Sequence, residues 1–291
     1  MSVIEIPVPG NRGFDNPRVH QIDHVHEQYD ITSFTEEEWP EGAFRAQQIQ
    51  GESYQTAEFI CATARDEDGR MHPDLDRSRG SNVTYFLANP KRVIEGRSNQ
   101  GAMRIVDVPV NGTVRDLAAF RYSESTMHPN VAAMLRAKVE KEGPGSVREV
   151  GALSHTDDGS TRASFELIRL AVQQAIRGKT EELWIITFAP RAYRSIIARF
   201  SPNTVLQIGA PVAVDVGDPR TSDSLRLTPV LIDPCRLPDQ MVDYLLSDMA
   251  DERGKRYVVG TLYAVLDGLR VDELSDYVKE YIASLERGVS A

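Results

Sequence analysis

Apolar residues spaced two apart mark strands, and those spaced three and four apart mark helices. From residue 82 onward the chain alternates between these patterns. Residues 82–88, Asn-Val-Thr-Tyr-Phe-Leu-Ala, are rich in β-branched and aromatic side chains and predict a strand, which Asn89-Pro90 interrupts. Residues 101–109 predict a second strand in a hairpin with the first, with Met103, Ile105 and Val108 on buried faces. Pro129 opens a helix whose stripe is Val131, Met134, Leu135 and Val139, and Gly143-Pro-Gly145 closes it. Residues 147–154 read as a strand. The next helix takes Ser164 as N-cap and Glu166 in its first turn, with Phe165, Ile168, Val172, Ala175 and Ile176 facing the core. Residues 183–188 form a continuous apolar run, expected of a strand buried on both faces.

A further helix is predicted from Pro190, with Tyr193, Ile196, Ile197 and Phe200 on one face. Strands are predicted at 205–216, broken around Gly209-Ala-Pro211, and at 225–232. Helices follow at 238–252 and between 261 and 287. Before residue 82 the pattern is weak. Residues 1–28 read as an irregular polar arm, 44–63 as a helix, and 65–80 as a charged, exposed loop.

The order from residue 82 is therefore β-β-α-β-loop-α-β-α-β-β. The strands at 147–154 and 183–188 are joined by a helix, which makes a crossover and predicts that they run parallel. The fold class is α/β with a mixed sheet flanked by helices. Three parts are expected: the arm at 1–28, an α/β domain at 29–235 and a helical extension at 236–291.

Charge narrows the function. The formal net charge of the 291-residue chain is -10, without the basic footprint of a nucleic-acid binder. The first residues lack a basic region followed by an apolar core, and no apolar run reaches the roughly 18 residues of a membrane helix. A cytoplasmic protein that binds neither nucleic acid nor membrane is expected. Cys61 and Cys235 have no metal-ligand or CxxC spacing, and His20, His24 and His26 have no rigid element to hold them, so no metal is expected.

Three stretches carry a resemblance to a known family: Ala102-Met-Arg-Ile105, Arg148-Glu-Val-Gly-Ala-Leu153, and the run from Leu183 to Asp215 with Leu206-Gln-Ile-Gly-Ala-Pro211 near its end. With the element order, they resemble the GCN5-related N-acyltransferase superfamily, in the branch of acyl-homoserine-lactone synthases and N-acyl amino acid synthases. The resemblance covers about half the chain. It implies an N-acyltransferase fold with an N-terminal arm and extra C-terminal helices. It also implies an acyl donor, acyl-CoA or an acyl carrier protein, used as co-substrate with no tightly bound cofactor, and a small-molecule amine or amino-acid-like acceptor. Two departures stand out. Ala152 takes a place where members often carry Arg, and the run Thr156-Asp-Asp-Gly-Ser-Thr161 keeps only the central Gly159 of the superfamily's phosphate loop.

Acyl transfer to an amine needs a held phosphate, a neutral amine and a stabilised oxyanion and thiolate. Gly159, Ser160 and Arg162 lie where a loop meets a helix N-terminus, which suits a phosphate; a helix-capping surface turn has the same sequence. Arg191 and Arg194 share a helix face that could bind adenosine phosphate or an acidic carrier protein, or simply be solvated. Glu149 is the candidate base, since a partly buried carboxylate has a raised pKa; the alternative is a structural partner for Arg104. The family's general-acid Tyr aligns with Ile196, and Tyr193 lies one turn earlier as the candidate proton donor. Arg104 and Trp184 are candidate substrate-binding residues, although Trp184, like Tyr85, reads more readily as core. His155 is a lone His at a strand end, structural or titrating. The C-terminal helices are expected to cover the cleft or make a homodimer contact. The rival to an enzyme is a non-catalytic member of the same fold that binds a ligand or a protein partner.

Overall fold

The computed structural model describes residues 29–73, 75–76, 82–92, 99–156, 161–178, 182–188, 205–213, 218–221, 226–235, 245–246 and 249. The arm at 1–28, the loop at 157–160, the helix from Pro190 and nearly all of the C-terminal extension lie outside the described residues.

The strands are β1 (Tyr29–Thr35), β2 (Val83–Pro90), β3 (Gly101–Asp107), β4 (Val147–His155), β5 (Leu183–Phe188), β6 (Val205–Gln207), β7 (Val212–Ala213) and β8 (Arg226–Ile232). They form one mixed sheet in the order β1-β2-β3-β4-β5-β8-β6, with β7 paired to β8. The β2–β3 hairpin is antiparallel, as its short connection requires. β4 and β5 are parallel, joined by helix α4 (Thr161–Gly178), which is the predicted crossover.

Helices cover both faces. On one face lie α1 (Pro40–Thr56), the short α2 (Ala118–Ser123) and α3 (Pro129–Glu142), around Leu87, Val106, Leu117, Phe120, Leu135 and Ile185. On the other lies α4, with Phe86, Met103, Ile105, Leu167 and Trp184. Leu245, Leu246 and Met249 are buried on that second face.

Four sequence expectations need correction. β1 was not foreseen: it pairs antiparallel with β2 and buries Tyr29 and Phe34, with Ile31 partly buried and the remaining positions polar. Asn89-Pro90 does not interrupt β2, because Pro90 pairs with Tyr29 at the strand end, where a missing N–H costs no central ladder bond. α1 starts at Pro40 and stops at Thr56, not 44 to 63. Pro fits the first turn, and past the helix Glu58 takes a positive φ of 60° and Phe59 packs edge-on to Tyr54. α4 begins three residues before Ser164, and its innermost residues are Ala163, Leu167 and Ala171 rather than Phe165 and Ile168. The cause is steric. A Cβ placed on Gly101 would stand 2.8 Å from the Ala163 Cβ, so α4 approaches β3 too closely for large side chains there. Glu166 is then fully buried on α4 and ion-paired with Arg169 at 2.7 Å, instead of sitting in the exposed first turn.

Candidate functional site

The site follows from how β4 and β5 part. The two strands pair only over Val147↔Leu183, Arg148↔Trp184 and Glu149↔Ile185. Beyond that point β5 continues against β8, whereas β4 runs on to His155 beside β3. Among the described residues, the edge of β4 past Glu149 has no strand partner. A sheet edge left open presents backbone N–H and C=O groups that an extended ligand can use.

A bulge helps to open it. Ala102 pairs with Ser154 and Arg104 with Gly151, so Ala152 and Leu153 together oppose Met103. Ala152 holds a φ of 54°, a left-handed conformation that a Cβ disfavours and that a bulge can impose. The extra residue bends the strand.

Glu149 stands at the point of divergence, on the α1 face. It is buried, and its Oε2 accepts a hydrogen bond from the Ala119 amide at the start of α2, at 2.9 Å. Gly151 is the next residue on that face; a Cβ there would stand 3.6 Å from Glu149 Oε1. Burial pushes the carboxyl above the ordinary carboxylate range, opposed by the Ala119 amide, the Arg104 charge and the Ala118 amide.

Arg104 is the diagonal neighbour of Glu149 across β3, but its ion pair is with another residue. Nη1 donates to Asp76 Oδ1 at 2.7 Å and to Gln50 Oε1 at 3.2 Å. Its Nε is buried without a hydrogen-bond partner. Burial disfavours the guanidinium charge, yet Asp76, Tyr54 and Glu149 outweigh it, so Arg104 stays firmly protonated. Gln47 Nε2 donates to the Tyr85 hydroxyl at 2.9 Å, and burial raises that phenol. Burial also raises the Tyr54 phenol. A buried polar strip thus runs under α1, contributed by α1 (Gln47, Gln50, Tyr54), the loop before β2 (Asp76), and β2, β3 and β4.

Sequence reasoning missed Asp76, Gln50 and Gln47. Residues 65–80 read as an exposed charged loop, but Asp76 is 3 % exposed. The signal that could have found it was Arg104 itself. An arginine in a strand as apolar as Gly-Ala-Met-Arg-Ile-Val needs a carboxylate from some other segment.

Other predicted residues separate from this strip. Trp184 lies on the α4 face, is 3 % exposed, and donates its Nε1–H to Glu182 Oε1 at 2.7 Å. It is a core residue there rather than a wall of the cleft, because β5 places Ile185 and not Trp184 on the α1 side. His155 closes β4, with Nδ1 3.0 Å from the Thr156 carbonyl oxygen. Gly159, Ser160, Arg191, Tyr193 and Arg194 lie outside the described residues. So does the Arg162 side chain, although its backbone is in the first turn of α4.

Among the described residues, no group of three or more His, Cys, Asp or Glu side chains is placed to hold a metal ion. No described helix is long and apolar enough to cross a membrane.

No protein-family model matches the chain, and no curated protein matches it in sequence. Solved structures are similar in fold. An N-acyl amino acid synthase from uncultured soil microbes is 17 % identical with a TM-score of 0.46, over 71 % of this chain and 92 % of that one. A CoA-dependent acyl-homoserine lactone synthase is 13 % identical with a TM-score of 0.47, over 76 % and 90 %. An acyl-CoA N-acyltransferase from Pseudomonas aeruginosa is 11 % identical with a TM-score of 0.39, over 70 % and 99 %.

Proposed function

We propose that this protein is an N-acyltransferase that moves an acyl group from acyl-CoA or an acyl carrier protein to an amine-bearing small molecule. The observation that carries the reading is the placement of Glu149. It is a buried carboxylate at the vertex of a split parallel pair, held by a backbone amide and not consumed by the neighbouring cation. Arg104 is engaged with Asp76, so Glu149 keeps the capacity to take a proton.

The chemistry then balances as follows. Glu149 takes a proton from the acceptor ammonium. The neutral amine attacks the thioester carbon, a C–N bond forms, and the C–S bond breaks. The nitrogen sheds its second proton as the C–S bond breaks; Tyr193 is the residue proposed to give a proton to the leaving thiolate and to recover one from that nitrogen, and the proton held by Glu149 passes to solvent. Arg104, with its unpaired Nε, orients an acceptor that carries a hydrogen-bond-accepting group such as a carboxylate. The open edge of β4 takes the extended arm of the donor. Gly159, Ser160 and Arg162 are proposed for its phosphates, with Arg191 and Arg194 as a second basic surface for adenosine phosphate or a carrier protein.

The test is product formation. Purified protein is mixed with octanoyl-CoA, or with an octanoylated carrier protein, and a panel of amino acids and amines. Free thiol is followed together with the mass of the N-acyl product. Product that depends on both the wild-type protein and Glu149 supports the reading. Binding of CoA or of the carrier protein with no product from any acceptor of the panel would favour a non-catalytic binder.

A further inference from the structure

No further inference is drawn: the strongest candidate, the cavity between the end of β3, the loop that follows it and Pro144, lined by Asn82, Asp107, Asn111 and Asp116 among others, offers an acidic pair whose Asp107 is ion-paired with Arg148 and whose Asp116 accepts from the Thr113 amide, and nothing in the structure shows what occupies it.

Discussion

The two ends of β4 differ in how they are held. At its start, Arg148 bridges Asp107 of β3 at 2.8 Å and Glu182 before β5 at 3.3 Å, and Glu182 in turn accepts from Trp184. Three strands are tied side by side by one guanidinium and its two carboxylates. At its far end the same strand carries Gly151, a bulge at Ala152, and an edge without β5. Glu149, the proposed base, stands at the boundary between the two. Closed pairing fixes the position of Glu149, and the pairing with β5 is lost one residue later. A site of this kind needs a rigid half and an open half within one strand.

The sharpest test of this contrast is Glu149→Gln. The amide side chain can still accept from the Ala119 N–H, so the fold should persist while kcat/KM falls about 10²- to 10⁴-fold, as expected for loss of a general base. A variant that turns over at the wild-type rate would remove Glu149 from the reaction. The same pair of proteins gives a pH test. The folded-state pKa of Glu149 is raised, so above the ordinary carboxylate value the native state binds more protons than the unfolded chain. Its stabilising contribution is complete below the unfolded pKa and is lost as pH rises through the folded one. Denaturation of the wild type against Glu149→Gln across acid to neutral pH should show that slope only in the wild type.

Next in size is Arg104→Met. It leaves Asp76 charged and buried, at a cost of about 3–5 kcal/mol. Adding Asp76→Leu should recover most of the loss in urea denaturation. If the double variant is no more stable than the single one, the pair is not the unit described.

Arg148→Met probes the closed end. Its guanidinium is partly solvated, so about 1–2 kcal/mol is expected, mostly from Glu182, which stays buried and keeps only the Trp184 bond of this cluster. Equal stability by chemical denaturation would mean that backbone pairing alone holds the vertex.

Ala152→Gly is the smallest change. Relief of the left-handed strain, less the entropy cost of glycine, should stabilise the protein by roughly 0.5–1 kcal/mol. Destabilisation would show that the alanine methyl packs at the bulge.

Much of this frame was legible from residue types. The hairpin of β2 and β3, the parallel pair through α4 and the burial of Met103 and Ile105 follow from long, strongly periodic segments. β1 was not legible, because an edge strand with only Tyr29 and Phe34 buried carries no alternation to detect. The α1 face of the site was half legible. Glu149 and Arg104 stood out as charges in apolar strands. Asp76 did not, because a charged segment looks exposed whether or not one of its carboxylates turns inward. The bulge had no signal beyond Gly151, since positive φ at an alanine is imposed by the sheet around it.

The bond from the Ala119 amide to Glu149 also provides a spectroscopic handle. That N–H donates to the carboxylate proposed as the base, so its chemical shift should titrate with Glu149. Its exchange with solvent should quicken when the carboxylate is protonated and the bond weakens. An amide in a two-turn helix thus becomes a built-in indicator, readable in the resting protein without any substrate.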